Sequence, residues 1–171
     1  MGIEPKVEGP TRDLLGHAIR GEWDDFANTA EDIGDQGLLV SLSLCLRISG
    51  YIVIDISGHT WPTAADASEI AQRMAAVDLH FDLTEDDTRA YLTRAVLGFE
   101  PLIEVFPDRE KLATVPIFTT AALLVSYRRH GTDWWDYLNT IENALETAST
   151  LSEDVVPALL LLSRRKRALS K

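Results

Sequence analysis

The spacing of apolar residues along the chain has a helical rhythm almost throughout. Trp23, Phe26, Ala27, Ala30 and Ile33 fall on one face of a 3.6-residue repeat, bounded by Gly21 before and by Gly34 and Gly37 after. Upstream, Leu14, Leu15, Ala18 and Ile19 predict a short first helix capped by Thr11, with residues 1–10 as a flexible amino-terminal arm. Thr63 with Asp66, and Thr84 with Asp87, have the spacing of capping boxes. They open helices whose inner faces are Ala67, Ile70, Ala71 and Met74 in one case, and Tyr91, Leu92, Ala95, Val96 and Phe99 in the other. Pro107 and Asp108 predict a short helical turn. Pro116 then falls in the first turn of a helix running to Arg129, with Gly131 as its stop. Trp134, Leu138, Ile141, Leu145 and Ala148 make the buried stripe of the next helix, capped by Thr132 or Asp133. A last helix is expected from Glu153 to Ala168, capped by Ser152.

The segment 38–56 is apolar enough to raise two other readings. Its length is that of a membrane span, but Arg47 near its centre would cost about 3 kcal/mol in a bilayer, which favours a buried core helix. Residues 51–56 are β-branched and strand-like, yet no second segment offers a strand to pair with. The pattern therefore predicts an all-α, single-domain, orthogonal or irregular bundle of about seven or eight helices over residues 11–163, followed by a basic tail at 164–171.

Composition agrees with a folded domain, since 46% of residues are hydrophobic and 25% charged. The single cysteine, Cys45, excludes an internal disulfide and a CxxC metal site, and its apolar surroundings make it a small buried hydrophobe. Arginine and alanine enrichment suggests a GC-rich bacterial source. The polar opening lacks the look of a secretory signal, which gives a cytoplasmic expectation. Charge is unevenly placed. Residues 1–163 carry 11 basic and 27 acidic side chains, a net −16, whereas 164–171 carry +5. Such an acidic body repels nucleic acid and attracts basic partners.

Chemistry-bearing patterns are sparse. Arg12 and His17 resemble the R-x4-H motif of HEPN-type ribonucleases, which are helical and often dimeric. The resemblance implies an arginine that grips phosphate and a histidine that assists attack by the 2′-hydroxyl. That family carries its motif late in the domain, whereas here it stands in the first helix. Asp55 and His59 share a helix face only if the helix continues past Gly58. Asp78, His80 and Asp82 alternate in a loop and could supply oxygen and imidazole ligands to a divalent metal, although no further ligand pair such as HExxH accompanies them. Asp24-Asp25 and Glu85-Asp86-Asp87 sit where helix amino termini favour acids without any metal. There is no glycine-rich phosphate loop and no nucleophile elbow, and the reading calls for no cofactor.

Aromatic residues point instead to binding. With Trp134 on an inner stripe, Trp135 is turned about 100° away, and with Trp61 or Tyr137 it makes a candidate surface anchor. Residues 23–32 and 134–143 match at Trp, Asp, Asn, Thr and Glu, a similarity no better than chance pairing in a chain of this length. The expected function is a non-catalytic protein-binding module, an acidic inhibitor, immunity-type protein or adaptor for a basic partner, with homodimerisation through 38–56 or 153–163 as a companion expectation. Two alternatives belong to other classes: RNA cleavage by Arg12 and His17, and a regulator whose basic tail contacts nucleic acid.

Overall fold

The computed structural model describes residues 5–58, 60–127 and 132–151. The expectations for His59, for Arg128 to Gly131, for the helix from Glu153 and for the 164–171 tail lie outside these residues. Within them the chain is all-α and forms one packed arrangement of seven α-helices, among the described residues. These are α1 (Pro5–Arg20), α2 (Trp23–Ile56), α3 (Ala64–Ala75), α4 (Glu85–Ala90), α5 (Leu102–Val105), α6 (Arg109–Tyr127) and α7 (Trp134–Leu151). A π-helical turn, Tyr91–Val96, continues α4.

At the centre, α1, α2 and α6 pack on one another. The α3–α4 pair closes over α6, the π turn after α4 packs on α2, and α7 docks on α2 and α6. Leu14, Leu15, Leu42, Ile48, Ile52, Leu92, Ile117, Leu123, Leu124 and Leu138 are fully enclosed. Burying each such side chain contributes about 1.5–3 kcal/mol. Among the described residues α2 is the one helix long and apolar enough to cross a bilayer by length and composition. Ser41, Leu42, Leu44, Cys45, Ile48, Ser49, Ile52 and Val53 of that helix are buried. Residues 51–56 are helical, and no strand occurs among the described residues.

Several boundaries differ from expectation. The arm predicted for 1–10 is helical from Pro5, and Thr11 lies inside α1 rather than capping it. Pro10 forfeits one internal hydrogen bond. The Thr11 hydroxyl is buried and donates to Ser41 Oγ at 2.9 Å, so contact with α2 extends the helix past its local signals. The break at Gly34 is a kink, not a loop: φ is 66° there, and helix resumes at once. Pro116 sits in the interior of α6, which starts at Arg109 where the Asp108 carboxylate accepts from the Lys111 amide at 2.9 Å. The capping box at Thr63 and Asp66 forms with both bonds, and Ala67, Ile70, Ala71 and Met74 are buried as predicted.

A chain of buried hydroxyls ties the core together. Tyr91 Oη donates to Ser49 Oγ at 3.1 Å, Ser49 and Thr120 hydroxyls are 2.8 Å apart, and Thr120 reaches the Pro116 carbonyl at 2.7 Å. Each polar atom in this chain has a partner, which is what permits it to be dry. Burial raises the Tyr91 phenol above its usual range. Burial likewise pushes the Cys45 thiol up to about 12.

Candidate functional site

Two places on the surface gather functional chemistry. The first grows out of the π turn. Leu97 N–H donates to Leu92 O at 2.9 Å, an i to i+5 bond, and Glu100 N–H donates to Arg94 O at 2.9 Å. A π turn inserts one residue into the helical count and rotates everything after it. Tyr91, Leu92, Ala95 and Val96 stay inside as expected, but Phe99 does not. The residue is 44% exposed and its φ is +56°, the left-handed region that side-chain-bearing residues rarely occupy. Gly98 permits the tight reversal, because a Cβ there would stand 2.3 Å from the Arg94 carbonyl oxygen.

Trp61, arriving on the segment between α2 and α3, stacks on Phe99 with centroids 6.0 Å apart and planes 27° from parallel. Ile103 on α5 is 66% exposed, the most exposed large apolar side chain among the described residues. Carboxylates stand next to Phe99 and Ile103 in the chain, as Glu100 and Glu104. Glu100 receives Arg94 Nη2 at 2.6 Å and is held below the usual carboxylate range by that guanidinium, while Glu104 follows on α5.

The second place is the α1–α2 corner. Gly21, with φ +70°, turns the chain, and a Cβ at Gly21 would lie 2.7 Å from Cγ of His80, whose ring rests on the turn. Glu22 Oε2 is 2.7 Å from His17 Nδ1, and its Oε1 accepts from Arg20 Nε at 2.9 Å. The Arg20 hydrogen bond, then that of His17, lowers the Glu22 carboxyl to about 2. Beside the corner, Trp23, Phe26, Phe81 and Phe118 form an aromatic lock, with Phe81 stacked on Phe118 at 4.6 Å and Trp23 edge-on to Phe118 at 5.7 Å.

No protein-family model matches this chain, nor does any curated protein or solved structure. What the residues do must be read from their geometry.

The paired Arg12 and His17 are not brought together. Arg12 donates to Asn139 Oδ1 at 2.6 Å, ion-pairs with the buried Glu142, and lies 4.5 Å over the Trp135 ring. His17 turns to Glu22 at the other end of α1. Five residues on a helix separate the two side chains by about 140°, so one face cannot hold both. Asp78, His80 and Asp82 are each exposed, and the described metal-type cluster lies elsewhere, at His17, Glu22 and Asp25.

Of the expected aromatic anchors, Trp135 is at the surface, 41% exposed and edge-on to Trp134, with Arg12 over its ring. Trp61 is half-buried against Phe99. Tyr137 is a correction. It is buried, and its hydroxyl donates to Asp55 Oδ2 at 2.9 Å, joining α7 to α2. Its place between Trp134 and Ile141, three and four residues away, put it on the inner face from the start.

Glu142 and Phe99 were missed by the sequence reading. Glu142 was legible as a charge four residues past Leu138 on a buried stripe. Phe99 was not, since nothing local announces a π turn.

Proposed function

We propose that this chain is a non-catalytic protein-binding module whose docking surface is Trp61, Phe99 and Ile103 beside the carboxylates of Glu100 and Glu104. The observation that carries the reading is Phe99: a bulky residue held in left-handed backbone, stacked on Trp61 and still 44% exposed. Such a position costs of order 1–3 kcal/mol, and strain of this kind clusters where a side chain is aimed at a ligand. Aromatic residues in apolar patches are the usual interface anchors. The acidic composition selects a basic partner, an inhibitor or adaptor relation in which charge steers encounter and the apolar centre holds the complex. A cytoplasmic setting belongs to the same reading, supported by the use of the apolar half of α2 as core.

The experiment is affinity capture with the full chain and with Phe99→Ala and Ile103→Asp, followed by binding measurements on the recovered partner. Both variants are expected to weaken it at least about tenfold, the scale of a hot spot. Wild-type affinity is expected to fall steeply as salt rises from about 50 to about 500 mM. A partner held equally by all three proteins would refute the surface. Salt-independent affinity would refute the basic partner.

A further inference from the structure

The α1–α2 corner lies apart from that docking surface and has a donor set of its own. His17, Glu22 and Asp25 each offer one ligand atom, and these atoms all lie within 4.8 Å of one another. The backbone that assembles them is tightly bonded: Gly21 N–H reaches Ala18 O at 3.3 Å, Glu22 N–H reaches His17 O at 2.9 Å, and Phe26 N–H reaches Glu22 O at 2.9 Å. Complementing a helix amino terminus accounts for the acids taken singly. It does not account for an imidazole turned onto them from the end of the preceding helix.

We propose that this corner binds a divalent transition-metal ion through His17 Nδ1, Glu22 Oε2 and an Asp25 carboxylate oxygen. One nitrogen with two carboxylate oxygens is a donor set for zinc, nickel or cobalt, whereas calcium and magnesium take oxygen alone. Arg20, donating to the far oxygen of Glu22, plays the part of the outer hydrogen bonds that orient ligating carboxylates. The ion takes the place between His17 and Glu22 that their hydrogen bond now fills. Three protein ligands leave a position for water or for a group of a bound molecule. The positive end of α2 and the Arg20 charge oppose a cation, so the site is weaker than a structural zinc centre.

The test is calorimetric titration of zinc chloride into the tag-free full chain, paralleled by nickel quenching of tryptophan fluorescence, for which Trp23 stands next to Glu22. One binding event per chain is expected. His17→Ala and Asp25→Asn should each weaken it by more than about tenfold. Asp25 is exposed, so its variant keeps the test intact should His17→Ala fail to fold. A flat titration, or wild-type affinity in folded Asp25→Asn, would overturn the proposal.

Discussion

Replacing Phe99 by alanine and by glycine separates the strain of its backbone from the work of its ring. Both variants lose the stack on Trp61, worth about 0.5–1.5 kcal/mol, together with the burial of a ring that is rather more than half covered. They differ only in how the backbone tolerates φ +56°. Alanine keeps a left-handed penalty of about 1–2 kcal/mol. Glycine escapes it but loses roughly 0.5–1 kcal/mol more conformational freedom on folding. The balance favours glycine by about 0.5–1 kcal/mol, or about 2 °C in melting temperature for a domain of this size. At an ordinary helical or extended position the order is reversed, so the sign alone is diagnostic. Thermal and urea unfolding followed by circular dichroism would measure it. An alanine variant as stable as the glycine variant would refute the strain argument, and with it the main reason for reading Phe99 as placed for docking.

Three further outcomes follow from the described contacts. Arg12→Met leaves the Glu142 carboxylate in a 4% exposed site without its guanidinium, and is expected to cost about 3 kcal/mol; adding Glu142→Leu should return most of it, as a double-mutant unfolding cycle would show. Glu22 is ionised down to about 2, chiefly through Arg20, whereas its usual value is 4.5. Its contribution to stability is therefore complete above pH 4.5 and is lost as pH falls toward 2. The melting-temperature gap between wild type and Glu22→Gln should accordingly close over that range, and a gap unchanged at the acid end would contradict the assignment. Cys45 is fully buried with its thiol pushed up to about 12, so a disulfide reagent should modify it only as fast as the protein unfolds. Prompt labelling of the native protein would mean that the core around α2 opens locally.

The sequence by itself determined the all-α character, because side chains recurring at three and four residues can share an interior only on a helix. It determined the Thr63–Asp66 cap and the face Ala67, Ile70, Ala71, Met74, since capping and amphipathic spacing act over a few residues. It also offered Trp61, Trp135 and Tyr137 as candidate anchors without separating the exposed Trp135 from the buried Tyr137.

Tertiary structure decided the rest. The Ser41 hydroxyl gave Thr11 a partner inside α1, and Asp55 gave the Tyr137 hydroxyl an acceptor across the α2–α7 contact. Arg12 went to Glu142 on α7 and so was withdrawn from His17. The π turn put Phe99 outside, and Gly21 set His17 against Glu22 and Asp25 across a helix boundary where no periodicity could register them. Hydrophobic rhythm is a local property of the chain, whereas the meeting of charges from separate helices depends on how those helices pack.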